Sequence, residues 1–296
     1  MNRIRPFAYF EAGTVAEAVG LLAREGSGAY ALAGGTDLLA QMKMGTLTPR
    51  VLVNLKKIAG LNGIGREPGK GLRIGSLVSI SGIEHSPLVR ESHRVLAEAA
   101  GGLGSPSIRN LGTLGGNIGR ASPASDMAPS LIVLRARMLV EGLQGKREVE
   151  TDGFWKGPGA TVLAAGELIT AFLVPDMGPG SGAAYMRLGR REGMDCTLVG
   201  VAVCLTLSES GSGLKNARVA LAAVAATPMR AKRVEEVLLS GSLTEERMKE
   251  AARAAAADSC PVSDIRASDT YRKALVEVLT YRGLAKALRL AKGATS

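Results

Sequence analysis

Two glycine-rich segments, far apart in the chain, restrict what it can fold into. The first reads Leu32-Ala33-Gly34-Gly35-Thr36-Asp37-Leu38. The second reads Ile108-Arg109-Asn110-Leu111-Gly112-Thr113-Leu114-Gly115-Gly116-Asn117. Each follows an apolar or helix-like stretch, and each pairs adjacent glycines with a threonine. Glycine has no Cβ, so such a segment can bring several backbone N–H groups close to a phosphate. Either segment alone reads equally well as a tight turn. Together, with Asp37 in the first and Asn117 and Asp126 after the second, they point to one large nucleotide gripped from both sides.

The spacing excludes two familiar phosphate-binding designs. A G-x-G-x-x-G turn between strand and helix matches neither segment, and no G-x-x-x-x-G-K-[ST] occurs. Composition narrows the field further. The chain has 296 residues, enough for two domains and a sizeable core. Hydrophobic residues make up 46% and aromatics only 3%, so the core rests on Ala, Val, Leu and Ile. The net charge of +10 comes from scattered Lys and Arg. Without a nucleic-acid motif or stacking aromatics, this reads as a solvated basic surface or a subunit contact rather than a nucleic-acid site. Cys196, Cys204 and Cys260 are too few and too dispersed for a four-cysteine metal site, so no metal site is expected. Their odd number fits a reducing cytoplasm. Cys204, inside the apolar run Val199–Leu207, reads as a packed thiol. No signal peptide or membrane span is legible.

Along the chain, Thr14 and Glu17 form a capping box, Val15, Ala18, Val19 and Leu22 repeat at helical spacing, and Gly26 closes the helix. Tyr30–Ala33 and Val51–Leu55 read as strands, with a short helix turn over Leu38–Met42. Residues 1–57 thus read as a small β-α-β subdomain. A second subdomain, 58–176, offers strands at Leu72–Gly75, Leu131–Val140, Thr161–Ala164 and Ile169–Val174, a helix over Val95–Ala100, and a glycine turn over Thr113–Ile118. The run from Asp176 to Gly182 reads as a linker into a third domain, 177–296. There Val199–Leu207 and Ala217–Ala225 read as antiparallel strands. Glu245 and Glu246 open an Ala-rich helix to Ala257. The last helix, Ser268–Ala287, sets Tyr271, Leu275, Val278 and Leu279 on one face.

The wording of these segments resembles one family. Ala33-Gly34-Gly35-Thr36-Asp37-Leu38 with Lys43, Arg109 to Asn117, and Ala121-Ser122-Pro123-Ala124-Ser125-Asp126 are similar in order and spacing to the FAD-binding medium subunit of molybdenum hydroxylases. Carbon monoxide dehydrogenase and xanthine dehydrogenase belong to that group. Val51 to Leu55, Leu72 to Ser76, Gly166 to Ile169, Arg187 to Asp195, and Asp264-Ile265-Arg266 with Tyr271-Arg272 extend the likeness over nearly the whole chain.

The resemblance implies an α+β fold: a two-subdomain FAD-binding domain of the vanillyl-alcohol-oxidase type, followed by a C-terminal domain with an antiparallel sheet and helices. It implies that Leu32, Ala33, Gly34, Gly35, Thr36, Asp37 and Leu38 wrap the FAD pyrophosphate from one side. Gly112, Thr113, Leu114, Gly115, Gly116 and Asn117 would hold it from the other. Asp126, nine residues past Asn117, would touch the cofactor. Leu103 would line the flavin site, Ile169 would pack near the ring, and Arg187 stands where relatives often carry a lysine. Arg120 receives no role. A histidine that tethers FAD in other flavoproteins is replaced by Thr36-Asp37, which implies noncovalent FAD. The implied partners are a molybdopterin-binding large subunit and a [2Fe-2S] small subunit, in a dimer of heterotrimers. Electrons would pass from the clusters through FAD to NAD or a quinone, and no catalytic acid or base is required of this chain.

The residues also carry plainer readings. Asp37 and Asp126 could each be a helix N-cap. Arg187, Arg190 and Arg191 could be a solvated face or a subunit contact. His85 and His93 read as surface residues. A self-sufficient flavin oxidoreductase is the functional alternative, but it needs a general base that the sequence does not display.

Overall fold

The structure, a computed structural model, describes residues 4–191, 193–209 and 213–293. The N-terminal unit contains β1 (Ala8–Glu11), α1 (Val15–Glu25), β2 (Ala29–Leu32), α2 (Leu38–Met44) and β3 (Val51–Asn54). Its three strands are parallel in the order β1-β3-β2. The Thr14 hydroxyl accepts the Glu17 N–H at 3.1 Å, and Gly26, at φ +61°, ends α1 by donating its N–H to the Leu22 carbonyl. Ala18, Val19 and Leu22 then bury against Val51 and Val53. Strand β1 escaped the sequence reading because all four of its residues are exposed, so no hydrophobic alternation marks it.

The middle unit runs through β4 (Ile64–Glu67), β5 (Gly71–Gly75), α3 (Ile80–His85), α4 (Pro87–Ser92), α5 (Arg94–Gly102), α6 (Pro106–Leu111), α7 (Leu114–Gly119) and α8 (Met127–Val133). It continues in β6 (Arg137–Gly142), β7 (Gly145–Glu150), β8 (Trp155–Gly157), β9 (Ala160–Thr161) and β10 (Leu168–Val174). An antiparallel sheet in the order β4-β5-β10-β6-β7 forms its floor. Three expectations need correction. The stretch Leu131–Val140 is not a strand. It begins as the end of α8, turns at Arg135 with φ +57°, and only then becomes β6. The stretch Thr113–Ile118 is a helix start rather than a turn, because the Thr113 hydroxyl accepts the Gly116 N–H at 3.1 Å and caps α7. Only Ala160–Thr161 of the strand expected over Thr161–Ala164 is extended and paired. His93 is also not a surface residue: it is fully buried, with Nε2 2.8 Å from the Pro175 carbonyl.

The C-terminal unit has β11 (Ser181–Leu188), β12 (Val199–Leu207), β13 (Leu214–Ala222), β14 (Met229–Arg230), α9 (Lys232–Leu239), α10 (Glu245–Asp258) and α11 (Asp269–Ala291). Its strands form an antiparallel sheet in that order, buried on both faces. Val201, Val203, Leu205, Val219 and Leu221 bury against the helices. Ala183, Tyr185, Ala202 and Ala220 bury with residues of the middle unit. Apart from Tyr185, these side chains on the face that meets α5 and α8 are alanines, which let the elements approach closely. The thiol of Cys204 packs here, and burial pushes its pKa up to about 11. The buried face of α11 is Arg272, Val276, Leu279, Thr280, Leu284 and Ala287, whereas Tyr271 and Val278 are exposed. The expected face was displaced because Arg272, an unlikely core residue by type, is buried and donates to the Leu198 and Ala223 carbonyls. No helix among the described residues is long and apolar enough to cross a membrane.

Candidate cofactor-binding cleft

Strand β2 ends where the first glycine segment begins, and α6 ends where the second begins. The two segments meet. A Cβ on Gly34 would overlap the Leu111 carbonyl and crowd the Gly112 Cα, so Gly34 is the one residue type that allows the backbones to touch. Gly35 sits at φ +75°, which turns the chain into α2. Around this contact opens a cleft of about 760 Å³, within the size range of small-molecule and cofactor sites.

The first segment presents a row of free donors. Among the described residues, the backbone N–H groups of Gly34, Gly35, Thr36, Asp37 and Leu38 donate to no protein acceptor. Asp37 stands at the N-cap position of α2 without capping it. Its carboxylate instead accepts from Gln41 and pairs with Arg120 on the opposite wall. The second segment uses most of its donors internally. Leu114 N–H donates to Val78 O at 3.0 Å, Gly115 N–H to Ser76 O at 2.8 Å, and Gly116 N–H to the Thr113 hydroxyl. Thr113 keeps its own hydroxyl proton available at the cleft wall. The two segments thus differ in kind: one offers unpaired N–H groups, the other a rigid helix start that braces them.

Of the residues singled out from the sequence, Ala33 to Leu38, Leu103, Gly112, Thr113, Gly115, Gly116, Asn117, Asp126 and Ile169 line this cleft. Leu32 and Leu114 do not; their side chains are buried in the core, at 8% and 0% exposure. Arg187 does not line it either. It lies behind the wall, donating from Nε to the Thr197 hydroxyl at 3.0 Å and from NH2 to the Asp195 carbonyl at 3.1 Å. The sequence reading passed over Arg120, Ser125, Asp195 and Cys196, all on the wall. Ser125 carried a signal in the segment Ala121 to Asp126, where its hydroxyl donates to Asn117 Oδ1 at 2.5 Å and accepts the Ala128 N–H at 3.3 Å. It therefore caps α8 in place of Asp126.

The cleft lining also includes the apolar side chains of Leu77, Leu103, Ile108, Leu163 and Ile169. Free N–H donors, apolar side chains and the buried carboxylate of Asp126 along one cleft match a dinucleotide that carries a flat ring. That carboxylate is almost wholly buried, and burial pushes its pKa up, while Arg187, Thr197 and Tyr185 pull it down.

Residues 5–177 match the FAD binding domain in molybdopterin dehydrogenase, and residues 160–287 match the CO dehydrogenase flavoprotein C-terminal domain. The chain belongs to the FAD-binding subunits of the molybdopterin dehydrogenases. This flavin subunit is 36% identical to the carbon monoxide dehydrogenase medium chain of Hydrogenophaga pseudoflava over 278 residues, 94% of this chain and 96% of the relative. It is 32% identical to the 6-hydroxypseudooxynicotine dehydrogenase complex subunit alpha of Paenarthrobacter nicotinovorans, over 97% of this chain and 96% of the relative. Its fold superposes on a chain of the carbon monoxide dehydrogenase of H. pseudoflava with a TM-score of 0.93, at 36% identity, covering 97% of this chain and 98% of the other. A chain of quinoline 2-oxidoreductase from Pseudomonas putida 86 gives 0.90 at 29% identity, covering 98% and 99%. The expected α+β fold with a C-terminal antiparallel sheet and helices is the fold of the family. The flavin subunit is accordingly an oxidoreductase subunit that binds FAD and works within a molybdenum hydroxylase complex.

Proposed function

We propose that the cleft between the two glycine segments holds FAD without a covalent bond, and that this chain relays electrons within its complex. The observation that carries the reading is the row of five unpaired N–H groups from Gly34 to Leu38 in the lining of a cleft that also presents apolar side chains. A diphosphate satisfies such a row, since its oxygens accept from backbone donors that no protein group serves. Thr113 adds a hydroxyl from the opposite wall, Leu103 and Ile169 supply flat apolar cover, and Asp126 supplies an acceptor. Neither His85 nor His93 lines the cleft, which supports a noncovalent cofactor.

Bound FAD supplies one chemistry: it accepts electrons singly and delivers them in pairs, which joins iron–sulfur centres to a two-electron acceptor. The chain's own residues bind, orient and shield. The reading extends to a [2Fe-2S] small subunit as donor, a molybdopterin-binding large subunit as the site of substrate oxidation, and NAD or a quinone as acceptor, in a dimer of heterotrimers. It places the chain in the cytoplasm, with units 1–57, 58–176 and 177–296 as cleft wall, cleft wall and supporting domain.

The test is a titration of the purified chain with FAD. The sole tryptophan, Trp155, donates its indole N–H to the Ile118 carbonyl in α7, so its fluorescence reports on the cleft. Saturable quenching, with FAD released intact into the supernatant by acid, is expected. A chain that stays folded and shows no saturable FAD binding would remove the reading.

A further inference from the structure

One carboxylate of the cleft lining, Asp126, is held from behind by the C-terminal sheet. Asp126 begins α8 in the middle unit, yet the donors to its Oδ1 come from the third unit. The Tyr185 hydroxyl on β11 donates to it at 2.8 Å, and the Thr197 hydroxyl donates at 2.5 Å. Arg187 Nε lies 3.4 Å away and also donates to the Thr197 oxygen at 3.0 Å, so Arg187, Thr197 and Asp126 form a relay. The second oxygen, Oδ2, accepts no hydrogen bond among the described residues, although the residue is only 6% exposed and lines the cleft. A buried acid with two hydroxyl donors and an arginine ion pair on one oxygen, and no hydrogen bond to the other, has one oxygen fixed and one on offer.

The surroundings are shaped around these contacts. Gly200, paired with Arg187 across β11 and β12, leaves room for the Tyr185 hydroxyl: a Cβ there would lie 2.7 Å from that oxygen. Gly102 leaves room for Arg187 in the same way, since a Cβ would lie 2.6 Å from Arg187 Cδ. The Tyr185 backbone N–H is tied to Glu98 of α5 at 3.2 Å, which fixes β11 against the middle unit. Two glycines and an interdomain hydrogen bond thus keep Tyr185 and Arg187 in place beside Asp126.

We propose that Tyr185, Thr197 and Arg187 are positioning residues that hold Asp126 ionised, with Oδ2 turned into the cleft as the acceptor for a hydrogen-bond donor on the flavin end of the cofactor. This rests on the reading that FAD occupies the cleft. It gives the C-terminal domain a part in cofactor binding that its distance from the glycine segments conceals. Burial is the largest effect on Asp126 and raises its pKa, while the Arg187 charge and the Thr197 and Tyr185 hydroxyls lower it. The titratable and charged groups facing the carboxylate are Tyr185 and Arg187, both from β11. Tyr185 is itself pushed well above its ordinary value, by burial first and by Asp126 second, so it remains a donor.

The full chain is titrated with FAD, read by Trp155 quenching, across pH. Thr197→Val is expected to weaken FAD binding about tenfold, which corresponds to ~1.4 kcal/mol. It should also move the acid-side loss of affinity to higher pH, because one donor to the anion is gone. Thr197→Ser keeps the hydroxyl and should restore both. Tyr185→Phe should behave like Thr197→Val, and Gly200→Ala, which displaces the Tyr185 hydroxyl without deleting it, should follow. In an Asp126→Asn background, Thr197→Val should have no further effect on affinity or its pH profile. Equal effects of Thr197→Val in both backgrounds, or an unmoved pH profile in Thr197→Val and Tyr185→Phe proteins that bind FAD, would overturn the proposal. Failure of the unmodified folded chain to bind FAD would instead overturn the cleft assignment beneath it.

Discussion

Gly34 and Leu111 meet backbone to backbone, one from each glycine segment, with no room for a methyl group between them. This contact sets the spacing of the two walls, and the residues after Gly34 line the cleft with their N–H groups unpaired. Gly34→Ala must push the walls apart, and overpacking of this kind costs about 1–3 kcal/mol. The expected result is a lower melting temperature together with FAD binding weakened at least about tenfold, the equivalent of ~1.4 kcal/mol. Gly20 in α1 is the control. A Cβ there meets nothing within 4 Å, so Gly20→Ala should raise stability slightly, by about 0.5–1 kcal/mol, and leave FAD affinity alone.

Arg120 crosses the cleft to Asp37, joining the helix that follows one segment to the loop of the other. Both side chains are about half exposed, so the pair adds little to stability, of order 0–1 kcal/mol. Its effect should appear in binding. A diphosphate brought to Gly34–Leu38 meets the Asp37 charge, and Arg120 offsets it. Arg120→Ala should weaken FAD binding several-fold at low salt and flatten its salt dependence. Asp37→Asn should tighten binding or leave it unchanged. FAD titrations at two ionic strengths check both, and an Arg120→Ala protein with unchanged affinity at low salt would contradict the electrostatic account.

Much of this site could be read before the fold was known, because its chemistry is local. Glycine words and the Thr14 cap act within a few residues, and each appears where its side chain or lack of one demands. What stayed hidden depends on packing between units. Leu131 to Val140 is apolar except for Arg135 and Arg137, so no clear period separates the end of α8 from β6, and the break falls on Arg135, a residue type that rarely turns left-handed. His93 and Arg272 have polar side chains, yet each is buried by a partner distant in sequence, Pro175 for the first and Leu198 and Ala223 for the second. The family resemblance sets a cation at Arg187 near the flavin, whereas here its guanidinium is engaged with the Thr197 hydroxyl and the Asp195 carbonyl and is not part of the cleft lining. In each case the missing information is a contact that no single segment contains.

The buried His93 gives a pH dependence with a definite sign. Burial lowers its pKa below the ordinary histidine value of 6.5, against the smaller opposing effect of the Pro175 carbonyl. The unfolded chain therefore binds the proton more readily than the folded one. The stability that comes from keeping His93 neutral is fully present above pH 6.5 and is lost as pH falls from there through the folded value. Chemical denaturation from pH 7.5 to 5 should show stability declining below about 6.5. His93→Gln, which retains a donor for Pro175, should be less stable at pH 7.5 and show a shallower decline.

Glu235 in α9 anchors the C-terminal sheet to its helices through charge. Its carboxylate accepts the Val219 N–H at 3.0 Å and holds Arg230 through Nε at 2.9 Å and NH2 at 2.5 Å. Glu235 is only 5% exposed, and Arg218 and Arg230 lie close to one another beside it. Burial lowers the pKa of Arg218 first, and Arg230 lowers it further, while Glu235 and Asp152 raise it. Removing Glu235 leaves two neighbouring guanidinium groups with Asp152 as the remaining counter-charge, and an orphaned strand N–H besides. Breaking a buried pair from one side costs about 3–5 kcal/mol, and the partial exposure of Arg230 argues for the lower end. Glu235→Ala should therefore lose about 3 kcal/mol in denaturant unfolding. Glu235→Gln, which keeps an acceptor for Val219 but not the charge, should lose less. A Glu235→Ala protein as stable as the unmodified chain would show that the arginines find water instead, and that the sheet and helices hold together by their apolar faces alone.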